Sequence, residues 1–346
     1  MHIPDNYLSP QTCAVIGAVM VPVWAIAVNK VKEEVSDRKM PILGVSAAFT
    51  FLIMMFNVPV PGGTTAHAIC ATLVSILFGP FTAIIAVSTA LLIQALMFGD
   101  GGVLAFGANC FNMALVMPLT GWLIFNGLKR IRRNESLLPV IAFISAYVSI
   151  LLAALCNSIE LGLQPLLFRD AKGFPMYCPY GWNITVPAML ISHLVAGILD
   201  GAITAGAYIF IKRTYPGLII REAGSEVVSS GKKKPLLIYM ILTAIAVITP
   251  LGLIASGDAF GEWDPGKLPG LNGVIPQGMQ HGFNYKAPLD DYGSAITLFN
   301  SKGTAFDLNQ VIGYVISAII GSAILLIICK LITELVRKRG LKTEAK

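Results

Sequence analysis

Apolar residues in this chain gather into long unbroken runs, and charged residues collect in the stretches between them. The runs cover about 11–28, 41–58, 67–79, 80–98, 103–126, 138–162, 183–211, 236–255 and 309–330. A helix crossing the hydrocarbon core of a bilayer needs about 20 mostly apolar residues. The pattern therefore predicts an all-α polytopic membrane protein of about nine spans. Runs 67–79 and 80–98 meet at Gly79-Pro80, which predicts a tight turn between two helices. The first of them is short, so a single kinked or re-entrant element stays open as the alternative.

The stretches between runs organise the chain. Residues 1–211 hold seven spans, 212–235 form a polar, basic linker, and 236–346 hold two spans around an outer loop, 256–308, rich in Gly, Pro, Asn and Asp. Composition agrees with a lipid environment. Hydrophobic residues make up 55% and charged residues 13%, against about 25% charged in soluble domains. The net charge of +6 comes from short loops, which is a signature of membrane orientation and not of a nucleic-acid groove. Twenty of the 25 Lys and Arg fall in 29–40, 127–137, 212–234 and the tail. These are expected in the cytoplasm, with the N-terminus outside, the C-terminus inside and the protein in the cell membrane as a multi-pass chain. The opposite face carries nine acids, among them Asp5, Asp100, Asp258 and Glu262, and is expected to concentrate cations. No signal peptide is expected, because Met1 to Pro10 lacks a basic start. The bulky His2 predicts that Met1 is retained. The six cysteines form no CxxC pair and read as small apolar helix residues.

Candidate chemistry centres on two of the four histidines. The Met1 amine, the His2 amide nitrogen and His2 Nδ1 can close a five- and a six-membered chelate ring on one ion. His67, following the Pro59-Val60-Pro61-Gly62-Gly63 turn, can add a fourth nitrogen. A planar nitrogen set suits Ni(II) and Cu(II), accommodates Co(II) and fits tetrahedral Zn(II) poorly. Asp5, Asn57, Asp100, Asn109 and Asn112 are candidates to orient or gate that site. Asp5 with Pro4 is expected to stiffen and cap the segment before the first helix. Asn109 and Asn112 are expected to hydrogen-bond the loop holding His67. Gln94 and Glu160 are further polar residues in apolar surroundings. His193 and Asp200, two turns apart on one helix, are a candidate intramembrane polar pair. No phosphate-binding loop occurs, since Gly231-Lys232 lacks the upstream glycine, so the chain is expected not to use ATP itself.

Three motifs carry a family resemblance: Met1-His2-Ile3-Pro4-Asp5, the run from Pro59 to His67, and Phe98-Gly99-Asp100-Gly101-Gly102 with Gly107-Ala108-Asn109 and Phe111-Asn112-Met113. Together they resemble the CbiM/NikM family, the substrate-binding membrane components of energy-coupling-factor transporters for cobalt and nickel. The resemblance covers about 1–211. It implies a seven-helix bundle with the N-terminus inserted from outside and metal ligation by Met1, His2 and His67. It also implies a transported Co2+ or Ni2+ with no permanently bound cofactor, a transmembrane coupling partner and cytoplasmic ABC-type ATPases. Region 236–346 resembles the two-helix CbiN/NikN accessory component fused to the same chain, with its outer loop a candidate to recruit ions or gate the site. Two rivals stay open on the residues alone: a secondary metal/proton transporter working through Glu160, His193 and Asp200, and a membrane metalloenzyme.

Overall fold

The computed structural model describes residues 1–34, 40–61, 64–132, 134–214, 234–255, 257–271, 274–293 and 308–344. Most of the basic linker, 215–233, lies outside the described residues, as do 294–307 of the outer loop and Gly62-Gly63 of the turn before His67.

The chain is a multi-pass membrane protein built almost wholly of helices. Long helices are α1 (Pro10–Glu34), α4 (Pro80–Ile93, continuing as a π-turn over Gln94–Phe98), α6 (Met117–Ile131), α7 (Leu138–Leu167) and α8 (Trp182–Thr214). A short α5 (Phe106–Asn109) and a π-helical stretch (Cys110–Val116) lead into α6. Helix α9 (Lys234–Ile248) tightens into a 3-10 turn over Thr249–Ile254, and α10 (Leu308–Glu344) ends the described chain. Seven of these helical stretches are long and apolar enough to cross a bilayer.

Two expected spans are not full-length helices. Helix α2 (Met40–Met54) has 15 residues and α3 (Ala71–Phe78) has 8. They rise about 22 and 12 Å, short of the roughly 30 Å hydrocarbon core. Between them the described backbone is largely extended. Strands β1 (Asn57–Val60) and β2 (Thr64–His67) form an antiparallel ladder in which Asn57 pairs with His67. The 67–79 run thus divides into strand end, extended link and half-length helix. The turn expected at Gly79-Pro80 is present, with Gly79 at φ 89° and Pro80 opening α4.

Extended backbone beside a spanning helix is tolerated only where its polar groups are satisfied by protein. Residues Thr65 to Cys70 are buried. The Ile69 and Cys70 amides donate to Asp200 Oδ1 of α8 at 2.8 and 2.7 Å. Asp200 therefore stands in for the missing helical carbonyls. Removing such a partner leaves two buried N–H groups, at about 1–3 kcal/mol each.

Close helix approach relies on missing side chains. Gly321 of α10 admits the Phe51 ring of α2, and Gly197 and Gly201 of α8 admit Tyr147 and Phe143 of α7. Gly107 meets the backbone of Gly17 on α1: a Cβ there would lie 2.6 Å from Gly17 Cα. A backbone neighbour cannot swing away as a side chain can. Gly107→Ala is expected to push α1 from α5 at a cost of about 1–3 kcal/mol, read as a thermal midpoint several degrees lower for the detergent-solubilised protein. An unchanged midpoint would mean that α1 adjusts freely.

Candidate metal centre

Residues 1–9 are not a helix. They thread as an irregular tail into the bundle mouth, with Met1, His2, Ile3, Tyr7, Leu8 and Ser9 all buried. Burying a polar backbone requires partners for it, and these come from several elements. Asn109 holds Ile3 at both ends, accepting its N–H at 2.7 Å and donating to its carbonyl at 3.0 Å. The Gly102 amide also donates to the Ile3 carbonyl, at 2.8 Å. Asn157 of α7 donates to the Met1 carbonyl at 2.7 Å. Gln164, two turns further along α7, accepts the Ser9 N–H at 3.0 Å. Asp5 accepts the amides of Val103 and Leu104. Ser9 then caps α1 by accepting the Thr12 amide, with Pro10 at the first helical position. Among the described residues the His2 amide has no hydrogen-bond partner, whereas Ile3 on its C-terminal side is pinned.

The tail brings the first residues against β2. His2 Nδ1 and His67 Nε2 lie 3.3 Å apart, and the two rings are tilted by 32° with centroids 5.0 Å apart. His67 Nδ1 faces the Ala68 carbonyl at 3.1 Å. A carbonyl only accepts, so Nδ1 carries the proton and Nε2 turns its lone pair towards His2. Two nitrogens bound cis to one ion at about 2.0–2.1 Å lie roughly 2.9 Å apart, close to the spacing seen. Side-chain donors alone make no metal site: among the described residues no group of three or more His, Cys, Asp and Glu is arranged to hold an ion. The nitrogen set is of another kind, because the Met1 amine and the His2 amide belong to the backbone.

Two carboxylates face the donors. Glu262 Oε1 pairs with the Met1 ammonium at 3.2 Å, and Asp100 Oδ1 lies 3.1 Å from His2 Nδ1. Asp100 Oδ2 accepts from Gln94 Nε2 at 3.0 Å and from the Tyr292 hydroxyl. Burial lowers the His2 imidazole to about 4, with the neighbouring N-terminal charge adding to the shift. Burial raises the Asp100 carboxyl, against the hydrogen bonds from Tyr292 and Gln94.

The structure redistributes several expected roles. Asn57 stands opposite His67 in the ladder. Asn109 grips the tail, not the loop of His67, and Asn112 donates to Glu160 at 2.8 Å. Asp5 ties the tail to 103–104, while the helix cap is Ser9. His193 and Asp200 do not pair. Seven residues separate them by about 10 Å along the helix, and each has nearer partners: His193 Nδ1 meets the Met189 carbonyl at 2.7 Å, and Asp200 holds Ile69 and Cys70. Asn157, Gln164 and Tyr292 escaped the sequence reading. The i, i+3, i+7 spacing of Asn157, Glu160 and Gln164 in an otherwise apolar run was a usable signal for the first two. Tyr292 sits in a loop without a period.

The outer loop makes further contacts here beyond those of Glu262 and Tyr292. The Tyr7 hydroxyl donates to the Trp263 carbonyl, Thr65 Oγ1 to the Gly257 carbonyl, and Asn6 exchanges hydrogen bonds with the Phe283 backbone.

Against known proteins, residues 2–218 match the family model CbiM, described as a cobalt uptake substrate-specific transmembrane region. The chain belongs to the CbiM family. In this CbiM-family chain a second model, the PDGLE domain, matches residues 234–338. A probable fused nickel transport protein LarMN of Lactiplantibacillus plantarum is 43% identical, over 95% of this chain and 97% of that protein. A fused nickel transport protein NikMN of Rhodobacter capsulatus is 39% identical, over 94% and 95%. A crystal structure of a truncated transition metal transporter aligns with a TM-score of 0.59 at 51% identity, covering 62% of this chain and 99% of that one. The CbiM-family relatives are metal transport proteins and not enzymes.

Asn109→Ala removes both bonds to Ile3, leaving its amide without a partner. The tail is expected to loosen by about 1–3 kcal/mol. Acylation of the Met1 amine by a water-soluble reagent should quicken accordingly, and equal rates in wild type and variant would show the tail to be held elsewhere.

Proposed function

We propose that this protein is the capture component of an ATP-driven importer of divalent nickel or cobalt. The ion is the cargo. It binds the Met1 amine, the deprotonated His2 amide, His2 Nδ1 and His67 Nε2 in one plane. The observation that carries this reading is the tail itself, held at Met1, Ile3, Asp5 and Ser9 so that His2 meets His67 with its own amide left over. Asp100 and Glu262 balance the positive charge before the ion arrives and lend the mouth its attraction for cations. Asn57 and Asn109 hold the backbones that carry the nitrogens, and Asn112 fixes Glu160 beside the tail.

In this reading residues 1–211 are the metal-binding unit, 212–235 a cytoplasmic linker and 236–346 an accessory region whose outer loop, 256–308, covers the site. The chain crosses the membrane nine times with its N-terminus outside and its C-terminus inside, α2 and α3 being completed by extended backbone. The excess of Lys and Arg on one side supports this orientation. A chain without a nucleotide-binding loop needs partners to use ATP, and those are a transmembrane coupling protein and cytoplasmic ABC-type ATPases. Relatives named for nickel favour nickel as the cargo.

The test is a Ni(II) and Co(II) titration of the full chain followed by visible absorption, beside a variant with one Ala inserted between Met1 and His2. The native protein should show a square-planar nickel band that the insertion abolishes or shifts. Binding indifferent to the insertion would move the site elsewhere.

Acidity supplies a second check. Ligation releases protons from the Met1 ammonium and the His2 amide, so affinity should fall as pH falls. The His2 imidazole is neutral until about pH 4 and contributes little to the loss between pH 8 and 6. Affinity constant across that window would exclude the backbone nitrogens as ligands.

A further inference from the structure

Below His67 the bundle holds a second set of donors that the nitrogen site does not use. Three buried atoms on α8, His193 Nε2, Asp200 Oδ2 and Thr204 Oγ1, find no oxygen or nitrogen partner among the described residues, and the Cys70 thiol is the group set against the last two side chains. Positions 193, 200 and 204 lie within about 40° of one another on the helix surface and span about 16 Å of its axis. They form one inward-facing line through roughly half of a bilayer core. Buried polar atoms without partners are uncommon in native interiors, and these three share one face of one helix.

Cys70 faces this line. Although its residue type suits a helix interior, it sits just before α3 with φ 57°, a left-handed conformation rare for residues other than glycine. Its thiol lies beside Asp200 and Thr204. Asp200 spends Oδ1 on the Ile69 and Cys70 amides, which fixes its carboxyl group and leaves Oδ2 without an N–H donor. Among the described residues no cation pairs with this carboxylate. Above it, the Met189 carbonyl and Ser192 occupy His193 Nδ1, so Nε2 keeps a lone pair available to a metal.

We infer that Cys70, Asp200 and Thr204 form an inner station for the transported divalent ion, reached from the nitrogen site by way of His193. The inference rests on the metal-capture reading. Cys70 is three residues beyond His67, about 10 Å along an extended backbone. A thiolate, a carboxylate oxygen and a hydroxyl suit a later first-row ion. Two strong donors and one weak one hold it loosely, as passage requires: a station on a route has to release what it takes. On binding, the ion displaces the thiol proton, which leaves with the incoming water or buffer.

The test uses the full chain with its coupling partners. In the variant with an Ala inserted after Met1, saturating Co(II) should produce a near-ultraviolet sulfur-to-cobalt charge-transfer band, and Cys70→Ser should abolish it. In the otherwise native protein, Cys70→Ser and Thr204→Val should each slow nickel uptake by about tenfold or more while the square-planar nickel band and its affinity stay unchanged. Absence of the charge-transfer band, or uptake unaffected by both substitutions, would overturn the inner station. So would a matching loss of nickel affinity, which would make Cys70 a structural support of the nitrogen site. Failure of the capture reading is separate: it appears as wild-type nickel binding that ignores the Ala insertion.

Discussion

A charged chain end can be buried in an apolar bundle only where the polar groups that go in with it find partners. The first nine residues meet that demand, the His2 amide apart, through Asn109 of α5, Asn157 and Gln164 of α7 and backbone amides of the loop after α4. Asn109 imitates a neighbouring strand for Ile3, Asn157 takes the Met1 carbonyl, and Gln164 takes the Ser9 amide. Because those partners sit on helices whose own backbones are already hydrogen-bonded, the tail inherits their rigidity. The same rule acts at Ile69 and Cys70, where one carboxylate replaces two carbonyls. The unwound parts of this molecule are therefore among its most tightly specified parts.

Helix irregularities put these partners where they are needed. The π-turn at Gln94–Phe98 and the π-helical stretch at Cys110–Val116 flank the buried tail. Such bulges add a residue to a turn and rotate the rest of the helix about its axis. Gln94 thereby precedes a sharp exit at Gly99, φ 69°, that returns Asp100 to the first residues. Asn109 and Asn112 lie at the junction of α5 with the second bulge and reach different targets, the tail and Glu160.

The long helices and the break at Gly79-Pro80 could be read from the sequence because apolar run length and a Gly-Pro pair act locally. The chemistry of a histidine at position 2 was equally local, since chelate rings depend only on neighbouring atoms. That run 67–79 was short for a span was legible, but that only Ala71–Phe78 of it is helical was hidden. Ala68-Ile69-Cys70 is as apolar as the helix it precedes, and only Asp200, 130 residues away, permits it to stay extended. The partner of Asn109 was misassigned for a related reason: a side-chain amide satisfies whichever backbone tertiary structure brings to it. Glu262 and Tyr292 were hardest to place, because a loop without a hydrophobic period gives no clue to which of its residues returns to the bundle.

The tail and the loop segments lying over it are parts of one polypeptide. Contacts such as Met1 to Glu262, Asp100 to Tyr292 and Asn6 to Phe283 therefore form at an effective concentration set by the connecting chain, in the millimolar range for short flexible tethers. How much protein the membrane contains does not enter. Contacts that two separate subunits would have to find by encounter are here made within one chain, beside an apolar cluster in which Leu268 and Met279 of the loop pack with Ile3, Tyr7 and Leu8 of the tail.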